Sequence, residues 1–178
     1  MNFNDKILVL DGAMGTMIQK YGLDERDFHK PVPADDLVNR DPAALKALEE
    51  SRMELKGNNE CLNLTRPDII FDIHRKYIEA GADIIESNTF SANSISQEEY
   101  GLADIAGELA REGAAIARRA ADQSGRKVYV AGSVGPTSKS LTLAQNVEHP
   151  EYRPYGFREM VSAYMKQIRG LIDGGADF

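Results

Sequence analysis

One cysteine, Cys61, stands among 178 residues, so an internal disulfide framework is excluded. Positive charge is also scarce. Twenty-one Lys and Arg face 28 Asp and Glu, a net charge of −7, which repels phosphate backbones and anionic lipid and argues against nucleic acid and membrane partners. No window approaches the roughly eighteen consecutive apolar residues that a membrane-spanning helix needs. The opening MNFNDKILVLDG has neither the basic region nor the long apolar stretch of a signal peptide, and a cytoplasmic protein is expected. Neither G-x-G-x-x-G after the first apolar run nor G-x-x-x-x-G-K-[ST] occurs, which lowers nucleotide-binding readings. His29, His74, His149 and Cys61 show no metal-ligand spacing, so no metal is expected on these residues. Cys61 reads as a small buried apolar residue and His74 as a surface position on its helix. Arg118-Arg119 and Glu49-Glu50 read as solvated faces.

What is present is an alternation of short apolar runs and amphipathic stretches. Lys6–Leu10 (KILVL), closed by Asp11-Gly12, predicts a first strand buried on both faces. Asp41-Pro42 supplies an N-cap and a first-turn proline, so a helix is expected from there to about Leu55, ended by Gly57-Asn58-Asn59. The short run Cys61–Leu64 follows. Thr65-Arg66-Pro67-Asp68 then opens a helix carrying Ile69, Ile70, Ile73, Tyr77 and Ala80 on one face, with the Thr as a possible cap. Gly81-Ala82-Asp83 stops it before a strand at Ile84-Ile85. Leu102, Ile105, Ala106, Leu109, Gly113, Ile116, Ala117 and Ala120 repeat the helical spacing, and Gly125 precedes a strand at Lys127–Ala131. Phe157, Met160, Val161, Tyr164, Ile168, Leu171 and Ile172 form a last apolar stripe. The closing GGADF repeats the earlier Gly81-Ala82-Asp83 and promises a further strand, so a truncated domain is expected. Alternating strands and helices imply an α/β fold with a parallel sheet, either open or closed into a barrel.

In parallel α/β folds, ligands are held at the carboxyl ends of the strands. Three segments occupy those places. In Asp11-Gly12-Ala13-Met14-Gly15-Thr16 the glycines let the backbone approach a ligand, although an Asp-Gly turn is also ordinary turn chemistry. Glu86-Ser87-Asn88-Thr89-Phe90 crowds polar groups after Ile84-Ile85: a Glu there can face an ammonium, while Asn and Thr can bond a carboxylate or fix neighbouring loops. Capping of the next segment is the plainer alternative. In Gly132-Ser133-Val134-Gly135-Pro136-Thr137, Ser133 can line the same pocket, or the segment can be loop geometry alone.

Taken in order, ILVLDGAMGTMIQ, LKGNN, RPDIIFDIHRKYIEAGADIIESNTF, YVAGSVGPT and GLIDGGADF resemble the amino-terminal homocysteine methyltransferase barrel of the cobalamin-dependent methionine synthase family. The resemblance spans nearly the whole chain and implies the first half of a (β/α)₈ TIM barrel over residues 1–178, truncated at the start of strand 5, with a possible insertion at about 31–51. It implies transfer of a methyl group from methylcobalamin, originally from 5-methyltetrahydrofolate, to zinc-bound homocysteine, giving methionine. Asp11, Gly12, Ala13, Glu86, Asn88, Thr89 and Ser133 would surround the amino-acid part of homocysteine. The zinc would sit on three cysteines from later strands, so the fragment is expected to lack activity, zinc and cobalamin. Folate- and cobalamin-binding modules of the same parent chain would be its partners, and open barrel edges would favour self-association. Two alternatives stay open: a cobalamin-independent enzyme using betaine or S-methylmethionine, and a non-catalytic α/β binding module.

Overall fold

Two parallel strands, β1 (Ile84–Glu86) and β2 (Tyr129–Ala131), pair with Ile84 opposite Tyr129 and Glu86 opposite Ala131. The computed structural model describes residues 7–33, 37–142 and 147–178. A third extended segment lies along the free edge of β1. The Val9 carbonyl accepts from the Asp83 and Ile84 amides at 2.7 and 3.1 Å, the Asp11 amide donates to the Ile84 carbonyl at 2.9 Å, and Leu10 bridges Ile84 in parallel. On the other edge the Asp177 amide donates to Val130 O and the Gly132 amide to Phe178 O, each at 2.8 Å. The residues after the last helix thus run along β2, where the repeated Gly-Ala-Asp pattern places a strand.

Eight α-helices are described: α1 (Met14–Gln19), α2 (Glu25–His29), α3 (Pro42–Glu50), α4 (Leu62–Thr65), α5 (Pro67–Glu79), α6 (Ser94–Glu98), α7 (Ala106–Asp122) and α8 (Phe157–Asp173). The Asp41 carboxylate caps α3 by accepting from the Ala43 amide at 2.8 Å. Pro67 and Asp68 occupy the first turn of α5, where a missing N–H costs nothing and a negative charge meets the positive helix end. Ile85 and Val130 point from the sheet into a core with Ile78 of α5 and Ala117, Ala120 and Ala121 of α7. Helix α8 packs on α7 rather than on the sheet.

Several expectations are corrected. The first strand is not buried on both faces: Ile7, Val9 and Leu10 are exposed, because the helices cover only one side of the sheet among the described residues. Lys6, its expected first residue, lies outside them. Cys61–Leu64 is a 3-10 turn running into α4, so among the described residues the segment at Asp177 is the fourth extended piece rather than the fifth. Helix α3 ends at Glu50, not near Leu55, and its Ala44 and Leu48 join the core. Of residues 31–51, those at 34–36 lie outside the description. Thr65 does not cap α5, since its hydroxyl donates back to the Cys61 carbonyl. Along α8, Met160 and Leu171 are buried, but Phe157, Val161, Ile168 and Ile172 are exposed. His74 is fully buried rather than on the surface, and Arg118 is tied to Asp122 and Asp177.

Candidate functional site

Because the strands are parallel, their carboxyl ends open on the same side, and a cleft of about 530 Å³ lies there. It is lined by Asp11–Gly15, by Gly57, Asn59 and Glu60, by Glu86–Ser91 and by Ser133. All seven residues singled out from the sequence, Asp11, Gly12, Ala13, Glu86, Asn88, Thr89 and Ser133, are in that lining. Asp11 and Glu86 meet directly: both Asp11 carboxylate oxygens accept from the Glu86 amide at 3.1 Å. The turn after Asp11 is steadied by the Tyr77 hydroxyl, which donates to the Ala13 carbonyl at 3.3 Å.

Burial pushes the Asp11 carboxyl up to about 7. The Glu86 N–H opposes that rise, while the nearby Glu86 charge adds to it. Glu60, which the sequence reading did not single out, is buried in the cleft wall, and its carboxylate accepts from the Ser91 amide at 2.7 Å. Burial holds its pKa above the ordinary carboxylate range despite that bond. No Lys, Arg or His lines the cleft, and Asp11 and Glu86 share one wall, so its electrostatics favour a cationic group on the ligand once Asp11 has given up its proton.

Asn88 and Thr89 line the cleft, yet the Asn88 amide nitrogen and the Thr89 hydroxyl are engaged inside the protein. Asn88 Nδ2 donates to Asn59 O at 2.8 Å and to Asn63 Oδ1 at 2.9 Å. Asn63 returns a bond to the Asn88 carbonyl at 2.8 Å and gives another to Leu109 O of α7 at 2.9 Å. The Thr89 hydroxyl donates to the Ser133 carbonyl at 2.8 Å and shares a 2.6 Å contact with Ser87 Oγ. Ser87 Oγ in turn accepts from the Ser133 amide at 3.1 Å. These side chains lock the β1 and β2 exit loops together, while the side chains of Asp11, Glu86 and Ser133, which also line the cleft, take no part in that lock. Space for the lock comes from Gly113 on α7: a Cβ there would fall 2.5 Å from Thr89 Cγ2 and 2.6 Å from Asn63 Nδ2.

Residues 8–178 match the homocysteine S-methyltransferase family. The chain belongs to that family. Among solved structures, the homocysteine methyltransferase MmuM from Escherichia coli in its metallated form is 25% identical, with a TM-score of 0.61 over 98% of this chain and 53% of that one. Its oxidized form gives 23% identity and a TM-score of 0.60 over 98% and 52%. The chain therefore spans about half the length of these homocysteine methyltransferases.

Membership in the homocysteine S-methyltransferase family raises the question of a metal. Among the described residues no group of three or more His, Cys, Asp or Glu side chains is placed to hold one. Cys61 does not fit the part of a thiolate ligand: it is fully buried, and burial together with the Glu60 charge raises its thiol pKa. What the cleft offers chemically is carboxylates on one wall, able to meet a cationic group, with a glycine-opened backbone turn beside them.

Proposed function

We propose that the cleft between Asp11, Glu86 and Ser133 holds the amino-acid moiety of homocysteine, in a methyltransferase that converts it to methionine. The observation that carries this reading is the bond from the Glu86 amide to both oxygens of Asp11. It joins the ends of two strands far apart in sequence into one acidic wall able to meet an ammonium. Asp11 and Glu86 orient the amine, the Gly12-Ala13 turn brings backbone close to the ligand, and the engaged Asn88 and Thr89 keep the walls at a fixed spacing. Rigid placement of this kind lets a small ligand be positioned without ordering loops on binding. In this reading the extended segments are the opening half of a (β/α)₈ barrel whose interior face is the half-exposed side of β1 and β2, with residues 1–178 one domain. The parent uses methylcobalamin as donor, and sulfur activation by zinc belongs to the later cysteines that the resemblance implies.

Calorimetric titration of homocysteine into the protein is expected to give binding heat. Asp11→Asn is expected to weaken affinity about tenfold to a hundredfold, the usual cost of losing a charge-assisted hydrogen bond. Since Asp11 titrates at about 7, affinity for the ammonium form should rise as pH increases through 7 and should lose that dependence in the Asn variant. A folded protein with no binding heat would end the reading. Donor identity is read separately, by offering the parent polypeptide methylcobalamin, betaine or S-methylmethionine and following methionine. Turnover with either of the last two alone would replace the cobalamin assignment, and turnover by the 178-residue chain itself would overturn its expected inactivity.

The exposed apolar stripe Phe157, Val161, Met165, Ile168 and Ile172 on α8, with Val9 exposed on the extended segment beside β1, supports self-association of the isolated chain. Light scattering is expected to show a mass above the monomer's that falls towards it on dilution. A monodisperse monomer at high concentration would refute it.

A further inference from the structure

Gln167 lies on α8, outside the lining of the cleft, and is fully buried. Its Nε2 donates to the Thr89 carbonyl at 2.7 Å and to the Ser133 carbonyl at 3.3 Å. Those carbonyls belong to the two loops that leave β1 and β2. The amide orientation follows from these partners, since a flipped amide would set its oxygen against two acceptors. Its own Oε1 has no hydrogen-bond partner in the protein. A buried amide with an orphaned oxygen is a worse core residue than methionine of nearly the same shape, so packing does not account for a glutamine here. The bridge between the loops does.

We infer that Gln167 is a positioning residue of the cleft: from α8 it clamps the β1 and β2 exit loops at the separation that sets Ser133 across from Glu86. The clamp completes a ring in which Thr89 Oγ1 donates to Ser133 O and the Ser133 amide donates to Ser87 Oγ. Tyr164, one turn earlier on α8, adds a parallel tie, its hydroxyl donating to the Gly135 carbonyl at 3.1 Å. Helix α8 therefore reaches the site through backbone carbonyls of the exit loops and contributes no side chain to the cleft wall.

The affinity arm of the test rests on the homocysteine reading; the loop arm does not. In the 178-residue chain, Gln167→Met keeps the volume and removes both donated bonds. Amide hydrogen exchange at Thr89 and Ser133 is expected to speed up about tenfold or more, as for loss of one or two hydrogen bonds, while amides in α5 keep their protection. Homocysteine affinity should fall about tenfold. In Gln167→Glu a carboxyl buried against two carbonyls retains its proton and donates one bond, so exchange and affinity should lie between those of the parent and the Met variant. The Glu variant also serves if the Met variant does not fold. Exchange and affinity unchanged in the Met variant would overturn the clamp, as would a Glu variant as loose as the Met variant. Faster loop exchange in the Met variant, with no homocysteine binding even by the parent, would uphold the clamp and remove the homocysteine reading.

Discussion

Replacing Gly170 by valine is expected to lower the melting temperature by about 6–12 °C, corresponding to about 3 kcal/mol for a chain of this size. Helices α7 and α8 approach through small residues, and at Gly170 the contact is backbone to backbone. A Cβ there would overlap the Gly107 carbonyl oxygen and sit 3.0 Å from the Ala110 Cβ and 3.1 Å from the Arg111 amide nitrogen. Backbone atoms cannot rotate away as a side chain can, so the helices must separate. Valine is a slightly better helix former than glycine, but by only a few tenths of a kcal/mol, which does not offset the clash. Separation would also carry Tyr164 and Gln167 away from the loops they hold, so homocysteine binding should weaken with stability. Thermal melting followed by circular dichroism checks the first effect. A melting point within 2 °C of the parent would mean the helix pair has more slack than its geometry indicates.

The helices were legible because their cues are local. Asp41-Pro42, Pro67-Asp68 and the spacing of Ile69, Ile70 and Ile73 act within one or two turns, and each lies where the spacing and capping cues place it. The stretch Cys61–Thr65 was not, since every one of its residues is buried. A short segment buried on every side, its polar Asn63 and Thr65 included, has no solvent-facing period by which to tell strand from helix. The exposure of Val9 and of Ile168 was hidden for another reason. Their apolar patterns are those of covered faces, whereas the covering observed depends on tertiary partners and not on the segment itself.

The site divides in the same way. Asp11, Glu86 and Ser133 could be picked out because Asp11 and Glu86 follow an apolar run directly and Ser133 after one glycine, and parallel strands bring such positions to one side. Glu60 could not, since it sits in a 3-10 turn that supplies a cleft wall without belonging to a strand end. Gln167 is hidden more deeply. It interrupts the apolar stripe of α8 as any solvated residue might, and its partner Thr89 is 78 residues away. A polar residue on the buried side of a helix was the available hint, but only the contact of α8 with α7 shows which side is buried.

Acid should unfold the protein partly through His74. Neither ring nitrogen has a hydrogen-bond partner, the side chain is fully buried, and burial pushes its pKa down to about 4 from 6.5. The folded state therefore binds the proton less readily than the unfolded state. The resulting stability is fully present above pH 6.5 and is lost as pH falls towards 4, the loss reaching about 2–3 kcal/mol at pH 4.5. Asp11 works in the opposite sense over an overlapping window, because its raised pKa lets the folded state take up a proton first. The histidine contribution is thus isolated by difference, from urea unfolding of the parent and of His74→Leu at pH 7.5 and 4.5. Leucine removes two unpaired nitrogens from the core, so the variant should be no less stable at pH 7.5, and it should lose less stability than the parent on acidification by about that 2–3 kcal/mol. Equal losses in the two proteins would show that His74 acquires its proton without unfolding, and that its surroundings admit water the buried geometry does not provide.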